Sequence, residues 1–171
     1  MHHFMISEGF MHWTHPPTNQ VLTVNLETET FIETPGPIPV AGTGNVNNIY
    51  LSTGRYLSLL RRSGDYSWEI WEISRPERGE WRKKADFSLE AHKGRFKQLG
   101  LRHDDKFLIP VGWVKYPELL ALKSDDEKHR AVIFLYNLVT QEFDKIELPF
   151  YFPMCNIMVH KSSLEWLDAA V

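Results

Sequence analysis

The chain has 171 residues, of which 43 % are hydrophobic, 13 % aromatic and 24 % charged, a balance that excludes a disordered polymer and suits one domain of ordinary size. A formal charge of −3, a pI near 6.2 and no stripe of clustered Lys/Arg argue against binding to nucleic-acid phosphates, and the single cysteine, Cys155, excludes an intramolecular disulfide. The longest clearly apolar run, Ala131 to Tyr136, is far short of the roughly 20 residues of a membrane-spanning helix, and the opening MHHFMISEGF lacks the basic region and apolar core of a secretory signal, so the expected setting is cytoplasmic or nuclear, with no membrane partner.

Taken in chain order, the pattern predicts a mainly β protein of three similar units and a remainder. The first unit, about 4–47, has candidate strands at Phe4–Ser7, Phe10–Thr14, Gln20–Asn25 and Thr30–Glu33, then the turn-rich Thr34-Pro35-Gly36-Pro37. The second, about 48–95, has Asn48–Ser52, Tyr56–Leu60, Ser67–Ile73 and Glu80–Phe87. The third, about 96–149, has Phe96–Arg102, Lys106–Val111, Arg130–Asn137 and Glu142–Leu148. The remainder, 150–171, opens strand-like at Asn156–Val159. Helix is expected only as single turns, at Ser88–Lys93 or Leu164–Ala170.

An internal repeat organises these units. VLTVNLETETF (21–31) and IFLYNLVTQEF (133–143) share Asn-Leu-x-Thr-x-x-Phe, as Asn25, Leu26, Thr28, Phe31 and Asn137, Leu138, Thr140, Phe143. A degenerate copy, WEIWEISRPERGEW, puts Trp81 in the place of the two phenylalanines. The chemistry reads as a hairpin: a hydrophobic strand ends on Asn, whose side chain bonds its own backbone to start a turn, and an aromatic opens the returning strand. Trp68-Glu69-Ile70-Trp71-Glu72-Ile73 and Ala131–Tyr136 are apolar on both faces, as in sheets covered on both sides. Stacked four-stranded blades meet that requirement, whereas a two-layer sandwich of unrelated hairpins leaves its outer faces polar. The expected fold is therefore β-propeller-like: repeated antiparallel sheets, about three blades plus the remainder, incompletely or atypically closed.

The succession Gly9-Phe10-Met11-His12-Trp13, residues 21–31, Gly54-Arg55-Tyr56-Leu57-Ser58-Leu59-Leu60, Trp68–Ile73, Trp81-Arg82-Lys83 and Val132–Thr140 resembles the F-box-associated domain of plant F-box proteins. The resemblance covers roughly residues 4–160 and lies in the order of loosely spaced motifs. It implies a propeller-like, non-enzymatic module that presents protein substrates to an SCF-type ubiquitin ligase, with those substrates or ligase components as partners. No F-box is read before residue 9, so the module is expected to act as a truncated or partner-dependent version. At about 45 residues per blade the chain holds fewer than four, and an open arc leaves sheet edges bare; self-association, docking onto the rest of a propeller, or tighter closure is expected.

Local constellations give no chemistry of their own. Among the eight histidines, His2, His3, His12 and His15 have no ligand spacing on a strand and no Cys pair, so they are read as surface residues, and no metal or cofactor is expected. Gly42-Thr43-Gly44-Asn45 lacks the Gly-Lys-Ser/Thr of a phosphate loop, and Asp125-Asp126-Glu127-Lys128 lacks EF-hand spacing. Cys155 reads as a structural thiol. Glu69 and Glu72 are the pair a hydrolase would need to converge, the alternative being a glycan-binding or hydrolytic propeller-like protein; a relict domain without independent function is the third reading. For partner binding, the apparent insertion Val111–Pro117 offers Trp113, Lys115 and Tyr116 as anchors, with Arg61 and Arg62 adding charge, although Trp113 and Tyr116 could equally cap the core.

Overall fold

The computed structural model describes residues 3–15, 20–37, 48–99, 101, 108–125 and 131–146. The expected alternation of apolar and polar residues produces three four-stranded antiparallel sheets, each running in simple chain order. The first holds β1 (His3–Ser7), β2 (Phe10–His15), β3 (Gln20–Asn25) and β4 (Thr30–Pro35). The second holds β5 (Asn48–Ser52), β6 (Leu57–Gly64), β7 (Ser67–Arg75) and β8 (Glu80–Ser88). The third holds β9 (Ile109–Lys115), β10 (Leu119–Asp125), β11 (Ala131–Asn137) and β12 (Phe143–Ile146).

The first two sheets follow the expected strands closely; the third departs from them. The expected strand Phe96–Arg102 does not begin at Phe96: Lys93–Gln98 forms a short helix, α1, preceded by a 3₁₀ turn at Glu90–His92. Phe96 and Leu101 are buried, and Phe96 stacks on Tyr66 with centroids 6.3 Å apart. Helix α1 therefore plugs the seam between the second and third sheets, anchored there by its one large apolar side chain, Phe96, with Leu101 just beyond it. Val111–Pro117 is likewise not an inserted loop. Most of it is β9, and β10 pairs with both β9 and β11 where no strand was expected. The remainder after 146, together with Gly42–Asn45, Asp126–Lys128, His2 and Cys155, lies outside the described residues.

The repeated hairpin shares an Asn turn in the first and third sheets and a left-handed residue in all three. The Asn25 side-chain oxygen accepts from the backbone N–H groups of Glu27 and Thr28 at 2.9 and 3.1 Å, and Asn137 does the same for Val139 and Thr140 at 2.9 and 3.1 Å. Two residues before each aromatic the chain turns left-handed, at Glu29 (φ 55°), Gly79 (φ 65°) and Gln141 (φ 59°). In the second sheet a 3₁₀ turn at Pro76–Arg78 takes the place of the Asn turn. The one glycine of the three sits where a Cβ would meet the Thr34 side chain at 2.7 Å, so only the missing side chain lets the turn approach β4.

The second sheet is the middle layer. Trp68, Ile70 and Glu72 point to the third sheet, and Glu69, Trp71 and Ile73 to the first, following the register with β6. Toward the third sheet lies the larger core, in which Leu60, Trp68, Ile70 and Phe87 meet Trp113, Leu120, Leu122, Phe134, Tyr136 and Phe143. Toward the first lies a smaller cluster of Val21, Leu57 and Ile73, flanked by Met5, Tyr50 and Trp81. The first strands of successive sheets touch in series, β1 on β5 and β5 on β9. Ser52 Oγ donates to the Ile6 carbonyl at 2.6 Å, and the Glu8 N–H donates to the Gly54 carbonyl at 3.2 Å.

Candidate interaction surface

The two faces of the first sheet differ sharply. Cross-strand partners place Met5, Ser7, His12, Thr14, Val21, Thr23 and Thr34 on the face turned to the second sheet. That face is buried yet rich in small polar groups, of which Ser7, His12 and Thr23 satisfy one another. Ser7 Oγ lies 2.7 Å from His12 Nε2, and His12 Nδ1 lies 2.9 Å from Thr23 Oγ1. His12 is thus a buried core residue and not the surface histidine its sequence context suggested. Both ring nitrogens are engaged, and burial pulls its pKa down to about 4, so the ring is neutral near pH 7.

The opposite face carries Ile6, Met11, Trp13, Leu22, Val24 and Phe31 in the same register. Phe31 is 70 % exposed, Ile6 55 % and Leu22 38 %, while Leu26 stands clear in the adjoining turn. Single exposed apolar residues are ordinary, but a contiguous set on one flat sheet marks a contact surface. Glu33, directly across from Leu22 on the edge strand β4, is the ionisable group on this face among the described side chains.

Of the residues singled out in the sequence, Trp113 and Tyr116 lie elsewhere, on the seam between the second and third sheets. Trp113 is buried, donates its indole N–H to Ser58 Oγ at 2.8 Å, and meets the Tyr116 ring edge-on at 4.9 Å. Tyr116 is half-buried and donates its hydroxyl to the Glu72 carboxylate at 2.5 Å. Burial, then that carboxylate, raise its pKa well above the ordinary tyrosine value. Trp113 and Tyr116 therefore cap the core, while Lys115 is exposed and pairs with Glu118. Arg61 and Arg62 lie within β6 and point to opposite faces. Arg61 approaches Glu69 at 3.8 Å, whereas Arg62 donates to the carbonyls of Gly64 and Asp65 and covers the Trp68 ring. The structure brings Trp113 and Tyr116 together and separates them from Arg61.

Glu69 and Glu72, three apart on β7, face different sheets and do not converge. A hydrogen bond from Lys83 at 3.0 Å holds the Glu69 carboxyl below its usual pKa, with help from the Trp71 indole. A cleft of about 380 Å³ lies between β8 and the β11–β12 turn, lined by Asp86, Phe87, Ser88, Tyr136, Leu138 and Gln141. Its carboxylate, Asp86, is an ion-pair partner of Lys83 at 2.9 Å. Among the described residues no group of three His, Cys, Asp or Glu side chains is placed to hold a metal ion, and no helix is long and apolar enough to cross a membrane.

Set against protein-family models and curated proteins, the chain matches neither a family model nor a curated sequence.

Proposed function

We propose that the chain is a non-enzymatic protein-interaction module whose three sheets are successive blades of a propeller-like arc. Support for the arc comes from three equal meanders, from the serial contact of β1, β5 and β9, and from the left-handed residue that precedes each repeat aromatic. The observation that carries the interaction reading is the apolar face of the first sheet, uncovered among the described residues, with Phe31 70 % exposed. On the resemblance to the F-box-associated domain, the proteins bound are ubiquitination substrates or components of the ligase. The test is affinity capture from a plant extract with the wild-type chain and a Phe31→Glu variant side by side. Proteins retained by the first and lost by the second support the reading; identical retention, or none by either, overturns it.

A further inference from the structure

The repeat aromatic occupies one position in three sheets but has three environments. In the third sheet Phe143 is buried, edge-on to His92 at 4.8 Å and against Phe96 at 5.0 Å. In the second sheet Trp81 packs by Tyr50 and donates its indole N–H across to the Pro35 carbonyl at 3.0 Å. Both are covered by the layer, or the linking helix, that comes before their own sheet. Phe31, at the matching place in the first sheet, is covered by nothing described. Its face is thus the first sheet's version of a surface that packs on another layer in each of the other two.

We propose that a second copy of this chain supplies that layer, the two first sheets packing face to face about a two-fold axis; this rests on reading the face as an interaction surface and names its partner. The alternative head-to-tail contact would use the far face of the third sheet. That face is already covered at its centre, where Ala121 is 2 % and Ile133 5 % exposed. The open face is available on both copies, as an isologous interface requires. Its centre around Trp13 and Leu22 is apolar, and Glu33 on the edge strand falls at the rim, where two like charges stay hydrated. Four strands about 4.8 Å apart and about six residues long present roughly 400 Å² of flat face. With protruding side chains counted, a pair buries on the order of 1,000 Å² in total, at the small end of specific interfaces. An interface this small suits a reversible dimer.

Sedimentation equilibrium from micromolar to near-millimolar protein tests this. The weight-average mass rises from 20.0 kDa toward twice that value in the wild type. The Phe31→Glu variant stays monomeric or dissociates at least about tenfold more readily, because it puts a charge in place of an aromatic that is 70 % exposed on this face. Val139→Glu, an equally exposed turn position off the face, behaves like the wild type. In a Cys155→Ser background, Leu22→Cys is joined to its twin by a short bis-maleimide and Val139→Cys is not. A wild type that is monomeric throughout, or a dimer that Phe31→Glu leaves intact, overturns the proposal. If that monomer still loses captured proteins on Phe31→Glu, the dimer alone fails and the broader interaction reading stands.

Discussion

Tyr116, in the turn after β9, reaches across the seam and donates its hydroxyl to Glu72 of β7 at 2.5 Å. Glu72 is 5 % exposed, and its charged neighbour, Lys84, stands 3.7 Å away. A carboxylate in that position needs its donor. Tyr116→Phe removes the donor without emptying the ring's space, so it should cost about 1–3 kcal/mol, the range for a buried acceptor left unpaired. Urea unfolding checks this. In a double-mutant cycle with Glu72→Gln the two losses should be clearly less than additive.

Trp113 and Lys115 are two residues apart on β9, yet they should answer mutation very differently. Trp113→Ala opens the core beside Ser58 and should destabilise by about 3–5 kcal/mol. Lys115→Ala, which removes one exposed ion pair with Glu118, should change stability by less than about 0.5 kcal/mol. Thermal unfolding of the two variants gives the comparison, and a large loss in Lys115→Ala would contradict the placement of β9.

The buried imidazole of His12 makes the first sheet acid-sensitive. Its folded pKa, about 4, is lower than the value near 6.5 it has when unfolded. The unfolded chain therefore binds a proton that the folded chain refuses. His12's contribution is fully present above pH 6.5 and is lost as the pH falls toward 4, by up to about 3 kcal/mol. Urea midpoints between pH 7 and pH 4 should show this decline, and a His12→Asn variant should flatten it.

The left-handed turn in the second sheet tolerates no side chain. Gly79→Ala adds about 1–2 kcal/mol of backbone strain and drives a methyl into Thr34, which is buried with its hydroxyl unpartnered among the described residues. A loss above about 2 kcal/mol is expected, partly restored by a second change, Thr34→Ala. Glu29→Gly at the equivalent exposed position should be neutral or slightly stabilising, because it relieves strain and meets no wall. Calorimetric melting temperatures of the three variants would show the contrast.

The sequence was most legible where strands are short, alternating and closed by turn residues. Gln20–Asn25 and Asn48–Ser52 fall on the expected boundaries, because Asn25 and Gly54 end their runs for physical reasons. Legibility failed around α1, where Phe96, Leu99 and Leu101 fit either period over so short a run. It failed again at β9, where the expected strand stopped at Val111 because Gly112 looks like a loop residue, although it lies beside a register shift that accommodates it. Gly112 also hid Trp113: an aromatic just after Gly and two residues before Lys has the composition of an anchor, and only the neighbouring sheet makes it core. The exposed face was unreadable for the opposite reason. Leu22 and Phe31 follow the same pattern as their buried counterparts, and a pattern says nothing about what lies on the far side.

The unequal cores on either side of the middle sheet divide the molecule into parts of different durability. The first sheet is held by the small cluster of Val21, Leu57 and Ile73 and by a few hydrogen bonds along β1 and β5, while the other two sheets share a continuous aromatic core. Amide protons of β3 should exchange through a partial opening that leaves β7 and β11 protected, because the first sheet can detach without disturbing what lies beneath it. Unfolding then begins at the same layer that carries the proposed contact surface, and anything that binds there also acts as a clamp on the weakest seam of the fold.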